Sequence, residues 1–461
     1  MVSVDSMDVF LSVEDLVSNW RRNSLLFLHR IICVPMIVRI FEACFKGYQK
    51  ECLIMSIPSS GHTIRFGGTS NDAQKLSRTV RVMILNPFRF CIRMATDPKM
   101  GLAESYMYGE WVAESSPKEF LSLLIRAKRQ SMIKGKRAAK SLNGCITSLI
   151  IAAIRKLAGS ICAGWNYLGH RLRSNSLEGS RQNISKHYDL SNEMFKLFLD
   201  PSLTYSCAIF EEFPVPNEKM SLNALQQAQL NKYDSLLAYL DIKSGDKVLD
   251  IGCGWGAFAM RAADKYECEW TGVTVSWEQF KLAQKLLKET AESRKGAIDI
   301  KYLDYREESG TFDHIVSVEM IEHVGHEYLP TFFNVISERL RPYGKAVIQA
   351  IICRDEEYDH YRRSSDFIKK HIFPGGHLPS LSAIRKALPE CLKITQVQSI
   401  GPHYSPTLDI WCSEWVKHRE TILRMGYSEV FCRKWEMYFS LCSALFENGN
   451  INTVQILIEK S

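Results

Sequence analysis

From about Lys243 onward, short apolar runs alternate with segments of helical periodicity: KVLDIG, FAMRAADKY, WTGVTV, QFKLAQKLLKETAE, IDIKYL, FDHIVSV and GKAVIQAI. The short β-branched runs predict strands, and apolar residues three and four apart predict the helices between them. Such alternation predicts an α/β fold, a doubly wound, mainly parallel sheet with helices on both faces. Ligands of such sheets bind where the strands end in loops, at their carboxyl edge. Upstream, from Tyr48 to Lys128, apolar runs are broken by Gly and Asn-Pro, as in SGHTIRFGGTSN and ILNPFRF. These breaks predict short strands and turns, and with them a smaller mixed α/β domain.

Two apolar stretches interrupt this picture. Leu25 to Phe45 carries His29, Arg30 and Arg39, whereas a membrane span needs about 20 apolar residues. It is expected to be amphipathic or buried. Ile146 to Leu168 is broken by Arg155 and Lys156 and suits an interfacial helix, with an ordinary buried helix as the equal alternative. Basic runs, AKRQSMIKGKRAAK and HRLRSNSLEGSRQ, flank it. They read as a linker whose positive face could meet an anionic bilayer, or as a solvated connection. The division expected is a small domain over residues 1–130, a linker over 131–180 and a catalytic domain over 181–461, since a chain of 461 residues exceeds what one core supports.

Composition narrows little but excludes some classes. A hydrophobic share of 46% and a charged share of 24% argue against long disorder and against a polytopic membrane protein. A net charge of +7 favours an anionic surface without choosing between nucleic acid and phospholipid. The 14 cysteines are scattered singly, which argues against a zinc site or a disulfide framework and for a reduced, cytoplasmic setting. The first 20 residues lack a basic region followed by an apolar run, so no cleavable signal is expected.

The chemistry concentrates at Val248 to Gly256, VLDIGCGWG. A strand ends at Asp250 and is followed by Gly252, Gly254 and Gly256, then by a helix. Glycine at such a turn lets backbone approach a ligand closely. The GxGxG spacing departs from the GxGxxG dinucleotide fingerprint and disfavours a nicotinamide or flavin. It resembles motif I of class I, Rossmann-like methyltransferases. That resemblance implies S-adenosylmethionine as cofactor, with Asp250 and the three glycines against it and Thr274 to Gln279 beside the ribose. It also sets Asp304, Tyr305 and Arg306 around the adenine, and adds Tyr205 and Ser206. Read without the resemblance, Asp304 is a helix cap and Tyr305 a surface ring.

Longer segments sharpen the likeness. NISKHYDLSNEMFKLFLDPSLTYSCAIF (183–210), VSVEMIEHVGHEYLPTFF (316–333), FIKKHIFPGGHLPS (367–380) and GPHYSPTLDIW (401–411) resemble the cyclopropane-fatty-acid synthases, also called mycolic acid cyclopropane synthases. GLAESYMYGEWV (101–112) resembles the small amino-terminal domain of bacterial and plant-type members. The resemblance implies transfer of a one-carbon unit to the cis double bond of an unsaturated phospholipid acyl chain. It further implies a bicarbonate ion as proton acceptor, hydrogen-bonded by Glu322 and Tyr404 with backbone groups near Cys207 and Ile351. A carbocation intermediate favours aromatic faces, and Tyr188, Tyr205, Phe210 and Tyr404 are the candidates, against plain core packing. His187 is expected to line the site or a lid.

One position departs from the family. Gln349 stands where many members carry histidine, and glutamine cannot titrate near neutral pH. A methyl- or methylene-branched product therefore stays open beside the ring. Cys442 matches a cysteine marked as catalytic in the family, although the chemistry has no use for a thiolate, so a buried structural role is favoured. The partners expected are acyl chains at a peripheral membrane surface, with no nucleic acid and with a homodimer allowed. Rival readings are a small-molecule or headgroup N-methyltransferase on the same fold, and a catalytically silent lipid-binding homologue.

Overall fold

The structure, a computed structural model, describes residues 29–68, 78–135, 191–213, 221–290 and 294–461. His187, Tyr188, the 146–168 segment and nearly all of the 131–180 linker lie outside them. The chain divides into two compact units between Ile146 and Thr147.

In the first unit a four-stranded sheet runs in the order β2-β1-β3-β4, with β1 Cys52–Ile57, β2 His62–Gly67, β3 Thr79–Ile84 and β4 Trp111–Ala113. β1 and β3 are parallel, and the outer pairs are antiparallel. The helix Val34–Phe45 buries Ile37, Phe41 and Phe45, one face at a spacing of four, as an amphipathic segment should. NPFRF, read from sequence as a turn, instead starts a helix. Asn86 accepts the Arg89 N–H at 3.2 Å and Pro87 takes the first helical position, so Pro87–Thr96 winds up behind a conventional cap. No helix among the described residues is long and apolar enough to cross a membrane.

The second unit carries a seven-stranded sheet in the order β10-β11-β9-β8-β5-β6-β7. Its strands are β5 Lys247–Ile251, β6 Glu269–Thr274, β7 Ala297–Tyr302, β8 Phe312–Val318, β9 Leu340–Cys353, β10 Leu392–Ser399 and β11 Ile451–Lys460. β5 through β9 are mutually parallel, and β11 lies antiparallel between β9 and β10. Both faces are covered, as the alternation predicts. Val248, Trp270 and Val347 pack with Leu236, Leu240 and Phe258 on one side, while Leu249, Ile251 and Ile348 pack with Phe332, Ile336 and Ile384 on the other. Each such side chain contributes about 1.5–3 kcal/mol on burial, which holds the frame rigid beneath the loops.

The order places a switch at β5, whose neighbours β6 and β8 are reached by connections running in opposite directions. A crevice opens at that point above the carboxyl ends of the strands. The loops after β5, β6, β7 and β8 all meet there.

Candidate active site

The loop after β5 forms the floor of the first cavity. Gly252 and Gly254 have φ of +83° and +56°, a left-handed backbone that costs other residues about 1–2 kcal/mol. A Cβ on Gly252 would sit 2.7 Å from Met320 Cγ, whereas one on Gly254 would project into open space. The first glycine thus closes the loop onto the neighbouring strand end and the second leaves room for a ligand. Gly256, at φ +87°, opens the helix Ala257–Lys265 and does not itself line the cavity.

This cavity, roughly 140 Å³, gathers Tyr205, Ser206, Asp250, Thr274, Gln279, Asp304, Tyr305 and Arg306, the residues expected to hold S-adenosylmethionine. Thr274 Oγ1 donates to Gln279 Oε1 at 2.9 Å, and Ser276 caps the helix Trp277–Glu289, so the β6 loop is tied to its own helix. Asp304 accepts the Arg306 backbone N–H at 3.0 Å and its guanidinium at 2.8 Å. Its carboxylate therefore shapes the β7 loop, and Tyr305 stands edge-on to Phe332 at 5.6 Å on the cavity wall. Asp250 is buried against Trp270 Nε1 at 3.4 Å, and desolvation pushes its carboxyl up to about 7.

A second cavity of roughly 290 Å³ is bounded by Tyr205, Ile351, Tyr361, Phe373, Leu378, Tyr404, Leu408, Tyr438, Cys442 and Phe446 among others. Its walls are aromatic and aliphatic. Tyr205 donates its hydroxyl to Tyr438 at 3.0 Å, and Tyr404 stacks on Phe446 at 4.5 Å. The Tyr205 hydroxyl is thus satisfied, and both rings contribute to the cavity wall. Cys442 lines this space with a thiol that burial holds far above its ordinary pKa, a neutral apolar wall and not a thiolate. Phe210, a candidate for cation contact, instead stacks toward His403 at 6.4 Å and lines neither cavity.

The two cavities meet at Tyr205, Glu319 and His323, which line both. Sequence reasoning singled out Glu322 and passed over Glu319, three residues earlier in VSVEMIEH. In the structure Glu319 is the better held. Its Oε1 accepts the Cys207 backbone N–H at 2.9 Å and the Gln349 amide at 2.8 Å, and its Oε2 accepts the Tyr404 hydroxyl at 2.6 Å. Gln349 is fixed in turn, because its oxygen accepts from Gln455 at 3.0 Å and Gln455 accepts from Ser235 at 2.8 Å. The buried ammonium of Lys232, 2.7 Å from Ser206 Oγ, adds a positive charge whose attraction opposes the desolvation of Glu319. Burial nevertheless leaves the Glu319 carboxyl above its usual range. Its φ of +50° is the left-handed conformation that a glycine would accept without strain.

Glu322 is placed differently. Its Oε1 accepts the Ile351 backbone N–H, while Oε2 is buried and bonds to none of the described residues. Desolvation first, and repulsion from Glu319 second, push its carboxyl up to about 8, so it is a neutral acid at pH 7. His323 is buried and its imidazole is driven down to about 4 by desolvation, hence neutral too.

The bicarbonate that the resemblance implies would need donors that these contacts already use. Tyr404 and the Cys207 backbone, two of the groups expected to cradle the ion, already donate to Glu319, and Ile351 donates to Glu322. Gln349, at the histidine position, also donates to Glu319. The residues present do not fit a second anion, since it would stand beside an existing carboxylate without those donors. A sequence signal for Glu319 existed in the paired glutamates of EMIE, but the left-handed turn that aims the first into the cleft is a property of the backbone.

The profile of the mycolic acid cyclopropane synthetase family matches residues 175–456. The tuberculostearic acid methyltransferase UfaA1 of Mycobacterium tuberculosis is 33% identical over 396 residues, covering 84% of this chain and 85% of that one. Cyclopropane mycolic acid synthase 1 of the same organism is 34% identical over 288 residues, 60% of this chain and 96% of its own. The crystal structure of mycolic acid cyclopropane synthase CmaA1 complexed with SAH and CTAB superimposes with a TM-score of 0.55 and 31% identity, covering 61% of this chain and 98% of that one.

Proposed function

The chain belongs to the mycolic acid cyclopropane synthetase family, and on that premise we propose that this S-adenosylmethionine-dependent methyltransferase acts on the cis double bond of an unsaturated phospholipid acyl chain, giving a cyclopropane. The observation that carries the reading is the meeting of a cofactor-type cavity, floored by the β5 glycine turn, with an aromatic, apolar one at Tyr205, Glu319 and His323. An acyl chain needs the second kind of space and a sulfonium the first. Residues 181–461 form the catalytic domain of this reading, residues 1–130 the small domain, and 131–180 a basic connection to an anionic bilayer surface.

Bound S-adenosylmethionine supplies an electrophilic methyl group. The chain's own residues do the rest. The β5, β6 and β7 loops orient that donor, and the walls of the second cavity exclude water, which would otherwise trap a carbocation. The ring faces of Tyr205 and Tyr404 stabilise positive charge in the acyl chain, an effect worth about 2 kcal/mol or more when desolvated. Glu322, neutral, adds no second negative charge beside Glu319.

The test is incubation with methyl-labelled S-adenosylmethionine and vesicles of unsaturated or fully saturated phosphatidylcholine. Label is expected in the unsaturated lipid alone. Equal labelling of both would point to the headgroup and remove the alkene reading, and cofactor binding without any turnover would leave a lipid-binding homologue.

A further inference from the structure

We propose that Glu319 is the general base of the reaction and stands in the anion position itself, so that this chain needs no bicarbonate. The inference rests on the acyl-chain reading above and deepens it.

Three observations converge on Glu319. It is one of three residues that line both cavities, and of these Tyr205 and His323 are poor bases here, a phenol and an imidazole driven down to about 4. Its carboxylate is anchored by three donors from three separate segments: the Cys207 backbone at 2.9 Å, Gln349 at 2.8 Å and Tyr404 at 2.6 Å. Its backbone is left-handed at φ +50°, which turns the side chain of a non-glycine residue into the cleft at the cost of strain. Gln349 fits this arrangement better than a histidine would. A primary amide donates to the carboxylate through one N–H and to the Cys207 carbonyl at 3.3 Å through the other, and it takes no proton in competition with the base.

The step balances as follows. The alkene π pair forms the new C–C bond to the methyl carbon as the C–S bond breaks and its pair returns to sulfur. A cation remains on the adjacent chain carbon. A C–H bond of the transferred methyl then breaks, its electron pair closes the ring, and the proton passes to Glu319. No oxidant, reductant or further anion is needed. Glu322, already protonated, is a positioning residue that binds the Ile351 backbone and keeps the proton from having two competing acceptors.

Two measurements test this with the full chain. In the first, turnover on unsaturated phosphatidylcholine vesicles is followed in buffer stripped of carbon dioxide, with and without added bicarbonate. The wild type is expected to turn over equally in both. Glu319→Gly, which relieves the left-handed strain and empties the cradle, is expected to lose about 10²-fold or more without bicarbonate and to recover activity when it is added. A wild type that stops without bicarbonate, or a Glu319→Gly variant that runs normally without it, would overturn the proposal. The second measurement is line broadening of carbon-13 bicarbonate on binding. Saturable broadening is expected with Glu319→Gly and not with the wild type, and equal binding to both would also overturn it. Because this readout needs no lipid turnover, it decides the role of Glu319 as anion even if no label enters lipid, a result that would fell the acyl-chain reading instead.

Discussion

The glycine-floored cavity and the aromatic cavity of the second unit touch, yet they are built on different principles. The first draws its walls from consecutive strand ends, Asp250 to Gly254 across the end of β5, Thr274 closing β6 and Asp304 to Arg306 just after β7. The second is assembled from segments scattered between Tyr205 and Ile451, with aromatic rings from helices in the last 60 residues or so closing it. A sheet's topology fixes where a ligand crevice lies, while the later helices supply the walls of the second cavity. The two should therefore be separable by mutation.

Gly254→Val should produce the largest effect. A β-branched side chain at φ +56°, pointing into open space where a ligand is expected, should weaken S-adenosylhomocysteine binding by about 10²-fold or more while leaving the apolar cavity able to take up a fluorescent fatty acid. Calorimetry and the fluorescence titration together read the contrast, and parallel loss of both would break it. Tyr404→Phe should do the opposite, keeping cofactor binding and lowering turnover by about 10²-fold, because it removes one of the donors that hold Glu319. Glu322→Gln stays neutral and its amide oxygen can still accept the Ile351 N–H, so it should cost far less, under about tenfold in turnover.

Legibility from sequence divides along the same line. β5 to β9 and the helices between them were predictable because burial on both faces imposes continuous apolar runs with a clear change of period. The residues expected around the cofactor, Gly256 excepted, fall together in one cavity, one strand end at a time. Glu319 was not, since nothing in VSVEMIEH tells which glutamate the backbone turns into the cleft. Lys232 was also missed. It lies mid-helix in Leu222–Leu240, where a lysine ordinarily faces solvent, and only the tertiary packing buries it beside Ser206. The helix at Pro87–Thr96 escaped for a local reason, as Asn-Pro caps a helix as readily as it makes a turn.

Two smaller effects sharpen the account. Glu322 has a folded-state carboxyl at about 8 against an ordinary 4.5, so the native protein keeps a proton that the unfolded chain has released. Its contribution to stability is complete below pH 4.5 and is lost as pH rises toward 8. Glu322→Gln should flatten that part of the stability profile in urea unfolding measured across the range, and an unchanged slope would deny that the carboxyl is buried and protonated. Least of all, Cys442→Ala should change turnover by less than about threefold, since a neutral wall thiol has no proton or electron pair to offer. Loss of activity on that substitution would restore a catalytic role to Cys442.

The most direct measurement uses S-adenosylmethionine with a fully deuterated methyl group and mass spectrometry of the lipid product. If the methyl group surrenders a hydrogen to a base where the two cavities meet, the product retains two deuterium atoms of the three. Retention of all three would mean that no methyl C–H bond is broken, and would contradict the account at its centre.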